Sequence, residues 1–180
     1  WGYRSRAACK IIELNNKFRF IKKNTNLLDI GSYPGGWSQV SSKIITSGKV
    51  LSVDLQKIDE IEKVSFLQCD FLEEKSKEKI TNFFGTRLDV ILSDMAADTT
   101  GNKSLDCIRT NQLCAEVIEF SSKCLKPNGI LVSKLFMGED FLQVKELARS
   151  KFKKVQFFKP EASRNESKET YVHCAILNTL

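Results

Sequence analysis

Lys134 lies inside an otherwise apolar segment, Gly129-Ile-Leu-Val-Ser-Lys-Leu-Phe136, and is the sharpest anomaly in the sequence. Lysine is rarely fully buried without a partner; the alternative is that its side chain snorkels out at the end of a strand. Burial disfavours the ammonium charge and lowers the pKa, and a lysine so tuned can act as a base. Asp94 closes a second apolar segment, Leu88-Asp-Val-Ile-Leu-Ser-Asp94, where an exposed charge would not be needed. Lys10 in the first helix and Glu169 at the opening of the last strand are the other two charges so placed. Taken singly, Lys10 reads equally as a solvated helix position and Glu169 as a loop acid. Two lysines and two carboxylates could together perform proton-transfer chemistry.

A glycine loop offers a place for a ligand. Asp29-Ile-Gly-Ser-Tyr-Pro-Gly-Gly-Trp37 follows an apolar run; Gly31, Gly35 and Gly36 permit close backbone approach, and Pro34 stiffens the turn. The helix after it would present its amino end to that ligand. Many such loops are only tight connections. The spacing is not Gly-x-Gly-x-x-Gly, which argues against a pyrophosphate cradle and hence against a nicotinamide enzyme. Asp54 follows Gly31 by 23 residues, and an acid there commonly accepts hydrogen bonds from ribose hydroxyls. Asp70 could accept from an adenine amino group; it reads equally as a cap on the segment beginning Phe71-Leu72.

These residues need elements to hold them. Helical spacing predicts helices over 5–17, with Ser5 as a candidate cap, and over 36–46, 73–84, 105–125 and 139–150. Apolar runs predict strands at 26–31, 49–54, 64–69, 88–94, 129–136, 152–159 and 170–177, with Pro127-Asn128-Gly129 stopping the long helix. Strands alternating with helices imply an α/β, Rossmann-like, doubly wound and mostly parallel sheet. Only residues 160–169 join the last two strands. A parallel crossover needs a dozen or more residues, so the last strand should be reversed. In such sheets ligands bind beyond the carboxyl ends of the strands.

The length of 180 residues fits a single domain, 1–180. No apolar run reaches the ~20 residues of a membrane helix, and no signal-peptide core opens the chain. Six cysteines without a Cys-x-x-Cys pair, and one histidine, argue against a structural zinc site and for reduced thiols in a cytosolic protein. The net charge of +6 is uneven: residues 1–23 and 145–168 are basic and the middle is mildly acidic. If the ends meet, they form the footprint of a polyanion binder; the alternative is a solvated face.

The sequence resembles the FtsJ/RrmJ ribose 2′-O-methyltransferases. The segments that carry the resemblance run the length of the chain. They are Tyr3-Arg-Ser-Arg-Ala-Ala-Cys-Lys10, Asp29-Ile-Gly31 with Pro34-Gly-Gly-Trp37, Leu51-Ser-Val-Asp54 and Gln68-Cys-Asp-Phe71. They continue in Ser93-Asp-Met-Ala96, Ser133-Lys-Leu-Phe136 with Gly138, and Lys159-Pro160 with Ser163-Arg164 and Ser167 to Tyr171. The resemblance implies a class I methyltransferase fold with a seven-stranded sheet and helices on both faces. It implies S-adenosylmethionine as donor and no metal. A family tetrad of Lys, Asp, Lys and Glu falls on Lys10, Asp94, Lys134 and Glu169, and the donor site on Gly31, Pro34, Gly35, Gly36, Trp37, Asp54, Asp70, Phe71 and Asp94. Lys134 becomes the candidate base or proton-path residue, with Asp94 and Glu169 orienting the lysines. Two departures stand out. Ser32-Tyr33 replaces two small residues, so Tyr33 would stack near the donor or narrow its pocket. Ala97-Asp98 stands where proline usually follows Met-Ala.

The resemblance implies an RNA substrate. The bacterial branch, which this short chain resembles most, methylates a uridine ribose of large-subunit ribosomal RNA. Relatives act on mitochondrial ribosomal RNA, tRNA or capped mRNA. The expected phosphate contacts are Arg4, Arg6, Lys153, Lys154, Arg164 and Lys168. The expected state is a cytoplasmic monomer, or an organellar one in a eukaryote. Two other classes compete: a nicotinamide oxidoreductase, disfavoured by loop spacing, and a non-catalytic RNA-binding assembly module, which would have no use for Lys134.

Overall fold

The computed structural model describes residues 2–178. Each predicted element is present, as β1 (Leu27–Ile30), β2 (Val50–Asp54), β3 (Val64–Gln68), β4 (Leu88–Ser93), β5 (Leu125–Phe136), β6 (Phe152–Phe158) and β7 (Glu169–Leu177). The helices are α1 (Ala7–Phe18), α2 (Gly36–Ile44), α3 (Glu74–Phe84), α4 (Lys103–Cys124) and α5 (Phe141–Lys151). The strand order is β3-β2-β1-β4-β5-β7-β6. β7 is antiparallel to both neighbours, while the other pairs are parallel. The last strand is therefore reversed and inserted inside the sheet, leaving β6 at the edge.

The apolar side chains divide by face, as the two-residue period of a strand requires. Leu28, Ile30, Leu51, Val53, Ile91, Leu131 and Val172 pack with α3, α4 and α5 on one side. Leu27, Val50, Val90, Leu92, Val132 and Tyr171 pack with α1 and α2 on the other.

Three local expectations change. α1 starts at Ala7 and its cap position is Arg6; Ser5 caps nothing, because its hydroxyl is buried against the Gly36 backbone. α4 starts two residues earlier than expected, where the Asn102 side chain accepts the Leu105 N–H at 3.1 Å. β5 begins at Leu125 rather than at Gly129. Its register with β4 jumps from Leu88↔Leu125 to Val90↔Ile130, so Pro127-Asn128-Gly129 sits in a bulge inside the strand.

Candidate active site

The sheet positions the four charges. β4 and β5 pair as far as Ser93↔Ser133, so Asp94 and Lys134 are each the next residue past that rung. On the other side of β5, Lys134 pairs with Tyr171 and Phe136 with Glu169. Strand alternation turns Lys134 toward the α1 side with Val132, and Tyr171 with it. Lys10 reaches the same point from α1, whose Ala8, Ile11 and Leu14 are buried beneath it. Trp37 braces this junction: its indole N–H donates to the Ala7 carbonyl at 2.8 Å, and its ring lies 5.7 Å from that of Tyr171.

The four charges meet. Lys10 Nζ is 2.7 Å from Glu169 Oε1; Lys134 Nζ is 3.2 Å from Asp94 Oδ1 and 3.9 Å from Glu169 Oε2. The Tyr171 hydroxyl lies between the acids, 2.6 Å from Asp94 Oδ1 and 2.8 Å from Glu169 Oε1. One phenolic hydrogen shared by two carboxylates fixes their separation. Burial alone would push the Glu169 carboxyl up, but the Lys134 and Lys10 ammonium groups outweigh it and hold the carboxyl below its usual range. Burial, reinforced by Asp94 and Glu169, keeps Tyr171 protonated far above the ordinary phenol range.

Supporting contacts surround these groups. Ser163 Oγ donates to Glu169 Oε1 at 3.2 Å, and Lys159 Nζ donates to the Ser167 and Glu169 carbonyls at 2.7 and 2.9 Å. Past Ser133, β5 has no strand on its β4 side. There the buried Asn111 substitutes: its Oδ1 accepts the Phe136 N–H at 2.7 Å, and its Nδ2 donates to the Phe136 carbonyl at 2.9 Å and to Asp140 at 2.7 Å. Tyr171 was legible, because residues i and i+2 of a strand share a face and Glu169 was in hand. Asn111 left no comparable signal.

Beside the tetrad lies a cleft of about 970 Å³, bounded by the ends of β1, β2, β3 and β4 and by α4. Gly31, Asp54, Asp70, Phe71 and Asp94 line it, as expected, together with Tyr33, Leu55, Gln56, Met95 and Leu113. The Asp54 carboxylate is held by the Tyr33 N–H at 2.9 Å and the Gln56 N–H at 2.8 Å. Asp70 lines the cleft and accepts the Leu72 N–H at 3.0 Å within a turn; it caps no helix, because α3 begins only at Glu74, after Glu73. At Gly31, with φ +71°, a side chain would collide with Met95. Below the floor, burial raises the Asp29 carboxyl to about 7, with Asp94 and Asp54 adding to the rise.

An oriented acid, apolar walls and a close glycine backbone fit S-adenosylmethionine. Asp54 suits the ribose diol, and Phe71, Leu72 and Leu113 suit the adenine. Pro34, Gly35, Gly36 and Trp37 stand behind this wall instead: Gly36 abuts Ser5 and Ala8, and Trp37 belongs to the core. They shape the loop from behind because the chain turns away from the cleft at the start of α2. Among the described residues, no cluster of His, Cys, Asp and Glu could hold a metal ion, and no helix is long and apolar enough to cross a membrane.

The expected phosphate contacts separate into groups. Arg6, Arg164 and Lys168 are exposed, and Lys168 directly precedes Glu169. Lys153 and Lys154 begin β6, where Lys154 pairs with Ala175. That is six residues along β7 from Glu169, or about 20 Å at strand spacing. Being consecutive, they point to opposite faces. The two basic ends do meet, where Lys10 pairs with Glu169, the Ala162 N–H donates to Glu13 Oε1 at 3.2 Å and Lys17 lies over the Phe158 ring. Lys153 and Lys154 stand away from Glu169 on the edge strand, where lysines discourage pairing with another sheet. Arg4 lies across backbone carbonyls.

Comparison with known proteins agrees with this geometry. The family described as FtsJ-like methyltransferase matches residues 3–177. The chain is 43% identical over 176 residues to the ribosomal RNA large subunit methyltransferase E of Pelagibacter ubique, covering 98% of this chain and 87% of that protein. It is 43% identical over 177 residues to the protein of the same name from Rickettsia akari, covering 95% and 78%. A crystal structure described as a ribosomal RNA methyltransferase from Plasmodium falciparum superposes with a TM-score of 0.86 at 31% identity, covering 97% of this chain and 98% of that one. Human methyltransferase-like protein 13 in complex with SAH has a TM-score of 0.62 at 14% identity, covering 95% and 80%, and shares the fold. The chain belongs to the FtsJ-like methyltransferase family, with all four charged residues of the expected tetrad brought together and Asp94 joining them to the cleft.

Proposed function

We propose that the chain acts as one methyltransferase domain that methylates a ribose 2′-hydroxyl of RNA, a uridine of large-subunit ribosomal RNA being the favoured target. The observation that carries this reading is the convergence of Lys10, Asp94, Lys134 and Glu169 beside a cleft suited to S-adenosylmethionine. When bound there, that group supplies an electrophilic methyl and leaves as a neutral thioether.

The chain's own residues would do the rest. A ribose hydroxyl is a weak nucleophile and must lose its proton as its oxygen bonds to the methyl carbon. Lys134 Nζ acts as a proton relay: it passes one of its protons to Asp94 Oδ1, 3.2 Å away, and the lone pair this frees takes up the hydroxyl proton. Lys10, anchored by Glu169, holds the hydroxyl from the other side. Fixing the oxygen in line with the methyl contributes as much as proton movement. Asp94 is shared between tetrad and cleft, which brings the two reacting groups to one carboxylate.

Arg6, Arg164 and Lys168 are the candidate phosphate contacts, and the names of the bacterial relatives favour ribosomal RNA. A monomer in the cytoplasm suits this reading.

Labelled methyl transfer should be measured on large ribosomal subunits, tRNA and capped RNA. A companion substrate would carry a 2′-deoxy sugar at the modified position. The expected result is label on a single ribose, lost with the deoxy sugar. Label on a base overturns the reaction; RNA binding without transfer turns the reading to an assembly module.

A further inference from the structure

Arg4 is half-buried, and its guanidinium lies across three backbone carbonyls. Nη1 donates to the Asp59 carbonyl at 2.6 Å and to the Pro34 carbonyl at 3.4 Å, and Nη2 donates to the Glu60 carbonyl at 2.6 Å. Its backbone N–H donates to Gln39 Oε1 at 2.8 Å, and the neighbouring Tyr3 ring lies 4.4 Å from Lys43 Nζ. The segment before α1 is therefore strapped to α2, with its arginine reaching beyond.

The three carbonyls belong to two different segments. Pro34 is in the turn between β1 and α2; Asp59 and Glu60 are in the connection between β2 and β3. These segments flank Asp54. One supplies the Tyr33 N–H and the other the Gln56 N–H that hold its carboxylate. Tyr33, Leu55 and Gln56 line the cleft on the inside, while Arg4 ties the same segments from the outside. Gly35 is pressed into this junction with φ +120°, and a Cβ there would lie 2.9 Å from Ile61 Cδ1 and 3.2 Å from Arg4 Nη1. A planar guanidinium can reach several carbonyls at once, which an ammonium point charge does less well. Loops fixed before binding spare a ligand the entropy of ordering them.

We propose that Arg4 is a positioning residue for the methyl donor, a latch that sets the spacing of the 33–36 and 55–63 segments, and not a phosphate contact. The proposal rests on reading the cleft as the S-adenosylmethionine site.

The test compares the wild-type chain with Arg4→Ala and Arg4→Lys. Calorimetry gives the Kd for S-adenosylmethionine, steady-state kinetics give both KM values and kcat, and amide hydrogen exchange is followed without cofactor. Arg4→Ala should weaken S-adenosylmethionine about tenfold, the loss expected for a few backbone-directed bonds. Its kcat at saturating donor should stay within about twofold, because the reacting groups are untouched. Exchange should accelerate in 33–36 and 55–63 but not in α5, and Arg4→Lys should fall between. Unchanged donor affinity with a raised RNA KM, and a salt slope lower by about one, would make Arg4 a phosphate contact. Exchange that rises uniformly, or not at all, would equally overturn the latch. If Arg4→Ala is unstable, the folded Arg4→Lys variant decides by the same readouts. A wild-type chain that binds no S-adenosylmethionine would fail the cofactor reading, while the exchange comparison would still judge the latch.

Discussion

Tyr171 and His173 stand two residues apart on one face of β7, and both are buried, yet their surroundings are opposite. The Tyr171 hydroxyl bridges two carboxylates that are themselves held by lysines. Among the described residues, neither ring nitrogen of His173 has a hydrogen-bond partner; its ring stacks on Phe18 at 4.0 Å between centroids and 9° between planes. One strand face thus carries a satisfied polar cluster at its catalytic end and a polar group used as an apolar filler one rung below. Burial alone does not mark a functional residue. Convergent partners do.

That contrast can be broken in order of size. Asp94→Asn keeps the shape but removes the charge and the proton acceptor, so kcat should fall by about 10²–10⁴. Quenched-flow methyl transfer would show it, and a loss below about tenfold would remove Asp94 from the proton path.

His173 should instead govern stability. Burial, with Lys154 adding to it, lowers its folded pKa from 6.5 to about 4. The unfolded chain then takes up the proton first as pH falls. The stability is complete above pH 6.5, is lost as pH falls from there toward about 4, and is constant below. The loss is about 3 kcal/mol at 1.36 kcal/mol per unit. Urea melts of wild type and His173→Phe between those limits should diverge; parallel curves would mean the ring is hydrated.

Tyr171→Phe keeps the packing and removes the bridge. An expected fall of about tenfold in kcat, with donor affinity unchanged, matches the loss of charge-assisted hydrogen bonds. A wild-type rate would show that the lysines alone fix the two acids. The smallest effect concerns the edge strand. Lys153→Gln with Lys154→Gln should leave the salt dependence of RNA binding unchanged, whereas Lys168→Gln should lower its slope by about one. Equal effects would extend the RNA surface down β6.

The sequence made much of this visible for identifiable reasons. Apolar runs marked the strands and helical spacing the helices, and 160–169 was too short for a parallel crossover, which fixed the reversal of β7. Lys134 and Asp94 were conspicuous because each interrupts an apolar run. Other features depend on distant partners. Nothing local said that Arg4 would turn onto the Asp59 and Glu60 carbonyls, 55 and 56 residues away. Nor could it say that Asn111 would replace a missing strand beside Phe136, or that Trp37 would pack inward beside Tyr171. Charge density along the chain could not show that Lys153 and Lys154 lie toward the far end of the sheet from Glu169, because such a count ignores which end of a strand a residue occupies.

The most direct test follows labelled methyl transfer from S-adenosylmethionine to hypomethylated large ribosomal subunits with wild type and Lys134→Ala side by side. The modified position is read by its resistance to alkaline cleavage. The tetrad account predicts one protected ribose with wild type, none with Lys134→Ala, and donor affinity nearly equal in the two. Transfer by Lys134→Ala at a rate near wild type would contradict it.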